Sequence, residues 1–497
     1  MANGSLCRQC EDLQMLADRK NGDTLALANA RFAVNQSHDP FIHKFPPEIA
    51  SEIFVSYLPG PDDDPWAKVE ISGPLILGAV SRKWRQIAWS TPQLWSTIML
   101  ELYFKGCDIP LRRALVREWL SRSGGLPLDI HLRTPRRIPD GVLFYFYSLI
   151  DTINTYSSRW RVLRIHAPAS FLSRLNQGTT IAPGSSLLEL NIEPEEGKDI
   201  WPGVVDLRSV TSRLQQLTVR SMKISSLLVH FGSLTHLTTD GIADDECLEV
   251  MQSATNLVVC TFQRMHVGTP FVDGLVTCLK LQQFEIEPDE NEFLDEFFNK
   301  IHLPALEILS VMDRFRHPDT TIFNLTDFFE RCRCPLTHLT LGNSESEPQN
   351  MKTMLVQVPT LKHLRFRARE DWNKALRDVL QALADRYSSA DSKNGGRITF
   401  LPYLEHLTCW DSARTFEWDL IPKIFGVDFE NMHSIGSADI VPRSPLRSVH
   451  LELRERDTST VDQDTILRCQ HLVWVGIKLY VYPRIFDEPQ ARRNRST

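Results

Sequence analysis

The chain runs to 497 residues, 42% of them hydrophobic and 24% charged, a composition that can bury a large core and excludes wholesale disorder. Its 55 lysines and arginines against 62 acidic residues leave a net charge of −7, which argues against bulk nucleic-acid binding. Apolar stretches such as 141–150 fall far short of the roughly 20 residues of a spanning helix. Residues 1–20 carry Arg8, Glu11, Asp12, Asp18, Arg19 and Lys20 where a secretory signal would be apolar, so a soluble intracellular protein, cytoplasmic or nuclear, is expected.

Residues 1–40 are polar, with short helical spacings broken at Asn21-Gly22-Asp23; they read as a tail or one or two short helices. Cys7-x-x-Cys10 has the bite of half a zinc site, but no second pair follows and the next cysteine is Cys107. The ten scattered cysteines are expected to be reduced and mostly buried, with no metal and no cofactor.

Residues 41–100 carry denser signals. Pro46-Pro47 marks a helix start, where a missing N–H costs nothing, and Glu48 and Glu52 suit the positive end of the helix. Ile49, Ile53, Phe54, Tyr57 and Leu58 form an apolar stripe that Pro59-Gly60-Pro61 ends. After the acidic loop Asp62-Asp63-Asp64, a second helix is expected with Leu77, Val80, Trp84, Ile87 and Ala88 on one face. Ser90-Thr91-Pro92 opens one further turn, and Leu94 to Ile98 switches to the two-residue period of a strand.

The run Phe45-Pro46-Pro47-Glu48-Ile49-Ala50-Ser51-Glu52-Ile53-Phe54 resembles the opening of an F-box. Val80-Ser81-Arg82-Lys83-Trp84-Arg85-Gln86-Ile87-Ala88 and Thr91-Pro92-Gln93-Leu94-Trp95 are similar to its continuation, most closely in the F-box family abundant in mushroom-forming fungi. The departures are Phe45 in place of the usual leucine and a long loop from Pro59 to Gly73. The resemblance implies a helical module that docks on a Skp-type adaptor of a cullin-based ubiquitin ligase. Carried over by motif position, Phe45, Pro46, Ile49, Ile53, Phe54, Leu77, Val80 and Trp84 would form the adaptor contact. The residues themselves agree, because two short amphipathic helices cannot bury both apolar faces internally. The other reading is that these helices cap the rest of their own chain.

From Trp160 a pattern of apolar-x-x-apolar-x-apolar returns twelve times, starting at Trp160, Leu187, Leu214, Leu234, Leu257, Leu281, Leu306, Leu336, Leu361, Leu404, Leu446 and Leu472. Most intervals lie within or near the 20–29-residue period of leucine-rich repeats. Two longer ones, 361 to 404 and 404 to 446, suggest insertions, one of them the polar stretch 388–397. The usual asparagine after each motif is mostly missing, so the repeat is irregular. Helix-like segments intervene at Asp244 to Ser253, Phe293 to Phe298 and Phe323 to Phe329. The expected fold is α/β: the helical module, then a repeat horseshoe over 101–485, a parallel sheet lining its concave face and helices outside, with a basic disordered tail over 486–497.

Alternation along each strand turns one set of side chains outward. One outward column should read Gln216, His236, Val259, Gln283, Ile308, His338, His363, His406, Ser448 and Trp474. His338, His363 and His406 should stack, with Arg365, Arg367 and Trp410 beside them. Three imidazoles could become cationic near pH 6, which suits an acidic or phosphorylated substrate; they also suit an ordinary strand surface. No Gly-x-Gly-x-x-Gly, P-loop, Gly-x-Ser-x-Gly or His-Glu-x-x-His occurs, so no catalytic residue is assigned and no enzymatic activity is expected. The sequence therefore reads as a ligase substrate receptor, or as a non-catalytic repeat scaffold unrelated to ubiquitination, with no nucleic acid or membrane partner.

Overall fold

The structure is a computed structural model. It describes residues 45–58, 73–102, 109–134, 140–176, 187–194, 203–269, 274–289, 293–312, 325–342, 348–367, 373–388, 400–412, 418–425, 444–453, 463–474 and 476–482. The expectations for residues 1–40, Cys7, Cys10, the Asp62–Asp64 loop, the insertion beyond 388 and the tail 486–497 lie outside the described residues. The protein is α/β, with thirteen α-helices and fourteen parallel strands among the described residues of its main sheet. It divides into two compact units, one of residues 1–214 with 226–229 and one of 215–225 with 230–497.

The first unit opens with α1 (Pro47–Val55), which begins at the proline pair and carries Glu48 in its first turn. The expected second helix is two helices, α2 (Gly73–Val80) and α3 (Arg82–Trp89). Ser81 breaks it by taking extended backbone and accepting a hydrogen bond from the Trp84 N–H at 3.1 Å, which caps α3. A 3-10 turn over Pro92–Trp95 follows, so the strand expected from Leu94 begins only at Thr97.

Strands β1 (Thr97–Glu101), β2 (Leu128–Arg133), β3 (Trp160–Ala167) and β4 (Glu189–Pro194) pair in parallel, joined by α4 (Ile109–Arg122), α5 (Asp140–Asn154) and the short α6 (Ala169–Leu172). The sheet thus starts two strands before the first repeat recognised in the sequence. Ile98, Leu100, Ile130, Leu132, Leu163, Ile165, Leu190 and Ile192 form two buried columns under it. A short parallel pair, Val205–Asp206 with Leu227–Leu228, completes this unit.

The second unit holds ten parallel strands: β5 (Gln216–Arg220), β6 (His236–Asp240), β7 (Val259–Met265), β8 (Gln283–Pro288), β9 (Ile308–Met312), β10 (His338–Gly342), β11 (His363–Arg367), β12 (His406–Ser412), β13 (Ser448–Leu453) and β14 (Lys478–Tyr482). Neighbours pair in that order. Between them lie α7 (Asp244–Ser253), α8 (Leu294–Asn299), α9 (Thr326–Cys332), α10 (Pro348–Val356), α11 (Asn373–Ser388), α12 (Leu420–Lys423) and α13 (Gln463–Trp474). Helix α11 fills part of the longest interval between repeats. A two-strand parallel pair, Val276–Thr277 with Ile301–His302, lies apart from the main sheet.

Over the repeat residues of β5–β13 the register is one-to-one, with shifts only at the strand ends after Ile286 and after Trp410, so the middle apolar residue of each repeat falls in one column: Leu217, Leu237, Cys260, Phe284, Leu309, Leu339, Leu364, Leu407 and Val449. Each is at most 1% exposed. Behind the sheet, Phe262, Phe284, Phe297, Phe298, Phe328 and Phe329 run ring to ring, with centroids 5.1–6.3 Å apart. Two phenylalanines come from strands and four from α8 and α9, so each helix is pinned to the sheet and to the next helix. Cys247, Cys260, Cys278, Cys332, Cys334, Cys409 and Cys469 are free thiols buried in the same core.

The twelfth expected repeat is corrected. Leu472 to Trp474 belong to α13, which buries Thr465, Cys469 and Leu472 on one helical face. The strand follows at Lys478, and Ser448 pairs with Lys478. The outward column therefore ends at Lys478, where Trp474 was expected, and Tyr480 follows His450 in the next column.

Phe284 links strand, spine and column, so truncation leaves a cavity with little room to collapse. Phe284→Ala should destabilise the protein by about 3–5 kcal/mol, seen as a lower urea midpoint.

Candidate protein-docking surfaces

Two surfaces gather the residues singled out by sequence. The first lies on α1–α3. Helix α1 is held from one side: Phe54 is 2% exposed and its ring lies 4.8 Å from that of Trp84. The Thr91 hydroxyl lies 2.9 Å from that of Ser51 and donates to the Ile87 carbonyl at 2.7 Å. The Trp95 indole N–H donates to the Ala88 carbonyl at 2.7 Å, fixing α3 on the following turn. The Arg122 guanidinium of α4 lies 3.9 Å from the Trp89 ring centroid and 4.8 Å from that of Trp95. Such cation–π contacts hold α3 against α4.

The eight expected adaptor residues divide accordingly. Phe54 and Leu77 are buried and serve the core of the helical cluster. Ile53 and Trp84 are half-buried, and Phe45, Pro46, Ile49 and Val80 are exposed. The structure brings Phe54 and Trp84 together directly, whereas Phe45, Ile49 and Val80 present apolar surface to solvent. Tyr57, Leu75, Ile76 and Trp89 are exposed as well and were not singled out as contacts. Seven large apolar side chains on so small a cluster form a surface of the kind that marks interaction sites.

The second surface is the outward side of β10–β14. The rings of His338 and His363 stack with centroids 4.0 Å apart and planes 7° apart; those of His363 and His406 lie 4.5 Å and 19° apart. One-to-one strand pairing produces this, since neighbouring strands repeat at about 4.8 Å. His338 Nδ1 is 2.9 Å from the Thr337 hydroxyl, and His406 Nδ1 is 2.6 Å from that of Ser448. The Arg365 guanidinium lies 4.7 Å from the Trp410 ring centroid. Arg367 pairs with Trp410 through the strand register; its side chain lies outside the described residues. Lys478, His450 and Tyr480, whose ring is 5.8 Å from that of His450, extend this surface and were not assigned from sequence as contacts.

Electrostatics corrects one expectation. Burial, then the neighbouring imidazoles, lowers His363 from 6.5 to about 4, and Glu405 opposes this only in part. Burial, then His406 and Lys362, lowers His338 too, against Glu307. His363 is therefore neutral near pH 6, and His338 is shifted in the same direction, because half-buried stacked imidazoles cannot share positive charge cheaply. His131 on β2, also buried, is lowered to about 4 by desolvation and Arg164.

Compared with known protein families and with curated proteins, the sequence matches none. Among the described residues no helix is long and apolar enough to cross a membrane, and no group of three or more His, Cys, Asp or Glu side chains could hold a metal ion.

A histidine whose folded-state pKa is depressed binds its proton more readily in the unfolded chain. Its neutral form therefore supports the fold fully above the ordinary value of 6.5, and that support is lost as pH falls toward about 4. The melting temperature should fall over this window, and His363→Phe, which keeps a stackable ring without the proton site, should flatten the fall.

Proposed function

We propose that the protein is the substrate-recognition subunit of an SCF-type ubiquitin ligase, an F-box protein whose second part is an irregular leucine-rich-repeat array. In this reading α1–α3 grip a Skp-type adaptor within a cullin complex, and the repeats hold a protein substrate. The observation that carries it is the set of exposed apolar side chains Ile49, Val80, Leu75 and Ile76 on the segment that resembles an F-box. A helix pair that fully capped its own chain would turn these side chains inward. The strand-per-repeat spacing and the continuous apolar columns support the repeat reading.

The mechanism is proximity. Tethering raises the effective concentration of a substrate lysine near a ubiquitin-loaded enzyme, and the reactive thiol belongs to that enzyme. Within the receptor, Arg122 and the buried Phe54 and Trp95 have a positioning role, because they fix where the adaptor stands relative to β1.

The rival reading, a repeat scaffold whose helices serve only as a cap, draws on the same ties, Phe54 with Trp84 and Trp95 with Ala88. The two readings diverge on exposed positions. Ile49→Asp and Val80→Asp alter solvent-facing side chains and should leave the fold intact. Purified Skp-type adaptor should capture the full-length protein, and each variant should lose at least roughly tenfold in affinity, since an unpaired charge would be buried in the interface. No capture by folded, monodisperse protein, or capture indifferent to both substitutions, overturns the reading.

A further inference from the structure

We infer that the outward side of β11–β14 binds an extended, carboxylate-rich segment of a protein, with Arg365 as its anchor. The inference deepens, and rests on, the reading of the repeats as the substrate holder. It starts from charge. Lys362, Arg365, Arg447 and Lys478 are all exposed on or beside these four strands. Glu405 pairs with Arg447 at 3.4 Å. Among the described residues no ion pair includes Lys362, Arg365 or Lys478, a local cationic excess on a chain of net charge −7.

Arg365 is built for the role. Its guanidinium face rests on Trp410, which leaves its N–H edge for the two oxygens of a carboxylate. Stacking also lowers the entropy lost when that side chain is immobilised. The imidazoles of His338, His363 and His406 supply a flat, closely stacked floor beside it. The exposed Tyr480 and His450 continue that floor toward Lys478.

Shape and polarity narrow the occupant. Arg365 and Lys478 stand three strands apart, about 14 Å across the sheet. That is the reach of about four to five extended residues. At β8 the outward side chains are Glu285 and Glu287, so an acidic ligand is repelled from that end and confined to the other. The net negative charge of the chain disfavours a long polyanion such as nucleic acid, which senses the summed field, more than a short acidic peptide.

The test uses full-length protein and fluorescence anisotropy. Two pools of short labelled peptides, randomised except for fixed glutamates or for glutamines at the same positions, are titrated beside a single-stranded oligonucleotide pool. The glutamate pool should bind at least roughly tenfold tighter than the glutamine pool, weaken with added salt, and lose roughly tenfold in affinity with Arg365→Glu. Lys478→Glu, at a second exposed position, should act in the same direction, and unchanged melting temperatures separate lost binding from lost fold. Equal binding of the two peptide pools, no binding of either, indifference to both substitutions, or preference for the oligonucleotide overturns the inference. Adaptor capture that persists without glutamate preference overturns this inference alone; glutamate preference without adaptor capture overturns the ligase reading alone.

Discussion

In each unit the protein depends on one constraint, the one-to-one register of parallel strands. Because side chains alternate, a slip of a single residue would expose Leu339, Leu364 and Leu407 and bury the histidines between them. Each fully buried leucine contributes roughly 2 kcal/mol, and none can be buried by its own repeat. The register is therefore collective: a strand is held because its neighbours are. The phenylalanine run from Phe262 to Phe329 transmits the same constraint to α8 and α9.

The same register creates the chemistry of the outward side. Residues separated by 25 and 43 positions in the chain, His338, His363 and His406, become neighbours with parallel rings. Burial and the neighbouring imidazoles lower His363 to about 4 and shift His338 in the same direction. Exposed Arg365 and Lys478 stand beside the stack and supply positive charge that neutral pH does not remove. Stacked rings beside exposed cations offer shape and charge separately, as protein-recognition surfaces commonly do.

At the other end of the chain, α1–α3 illustrate how a small cluster with limited core divides its apolar residues. Phe54 and Leu77 turn inward, Arg122 covers Trp89 from one side, and Phe45, Ile49 and Val80 remain exposed. A stripe read from helical spacing cannot tell these two fates apart. Only the partner elements decide which edge is covered, and here α3 packs against the Phe54 edge. The proposed adaptor contact is thus smaller than the motif that suggested it, and it includes Leu75 and Ile76, which the motif did not single out.

The sequence by itself determined the local, periodic features. Pro46-Pro47 started a helix because proline costs nothing there, and the repeating apolar spacing marked eleven strands because alternation is a short-range property. It failed where one pattern fits two periods. Leu472 with Val475 satisfies a helical spacing as well as the repeat, and Thr465 and Cys469 decide for the helix. The break at Ser81 was legible in principle as a capping serine, but the apolar spacing ran straight across it. Strand β2 escaped because Pro127 stands where the leading apolar residue of the repeat would be, whereas β1 fits the spacing at Trp95, Ile98 and Leu100 but lies at the end of the segment that resembles an F-box and was not read as a repeat. What only the tertiary structure decided were the properties owned by several segments at once: which edge of α1 stays exposed, that Arg365 lies on Trp410, and that His338 and His363 are shifted below the ordinary histidine value. Burial, stacking and Coulomb interaction act between side chains far apart in the chain, so no local pattern encodes them.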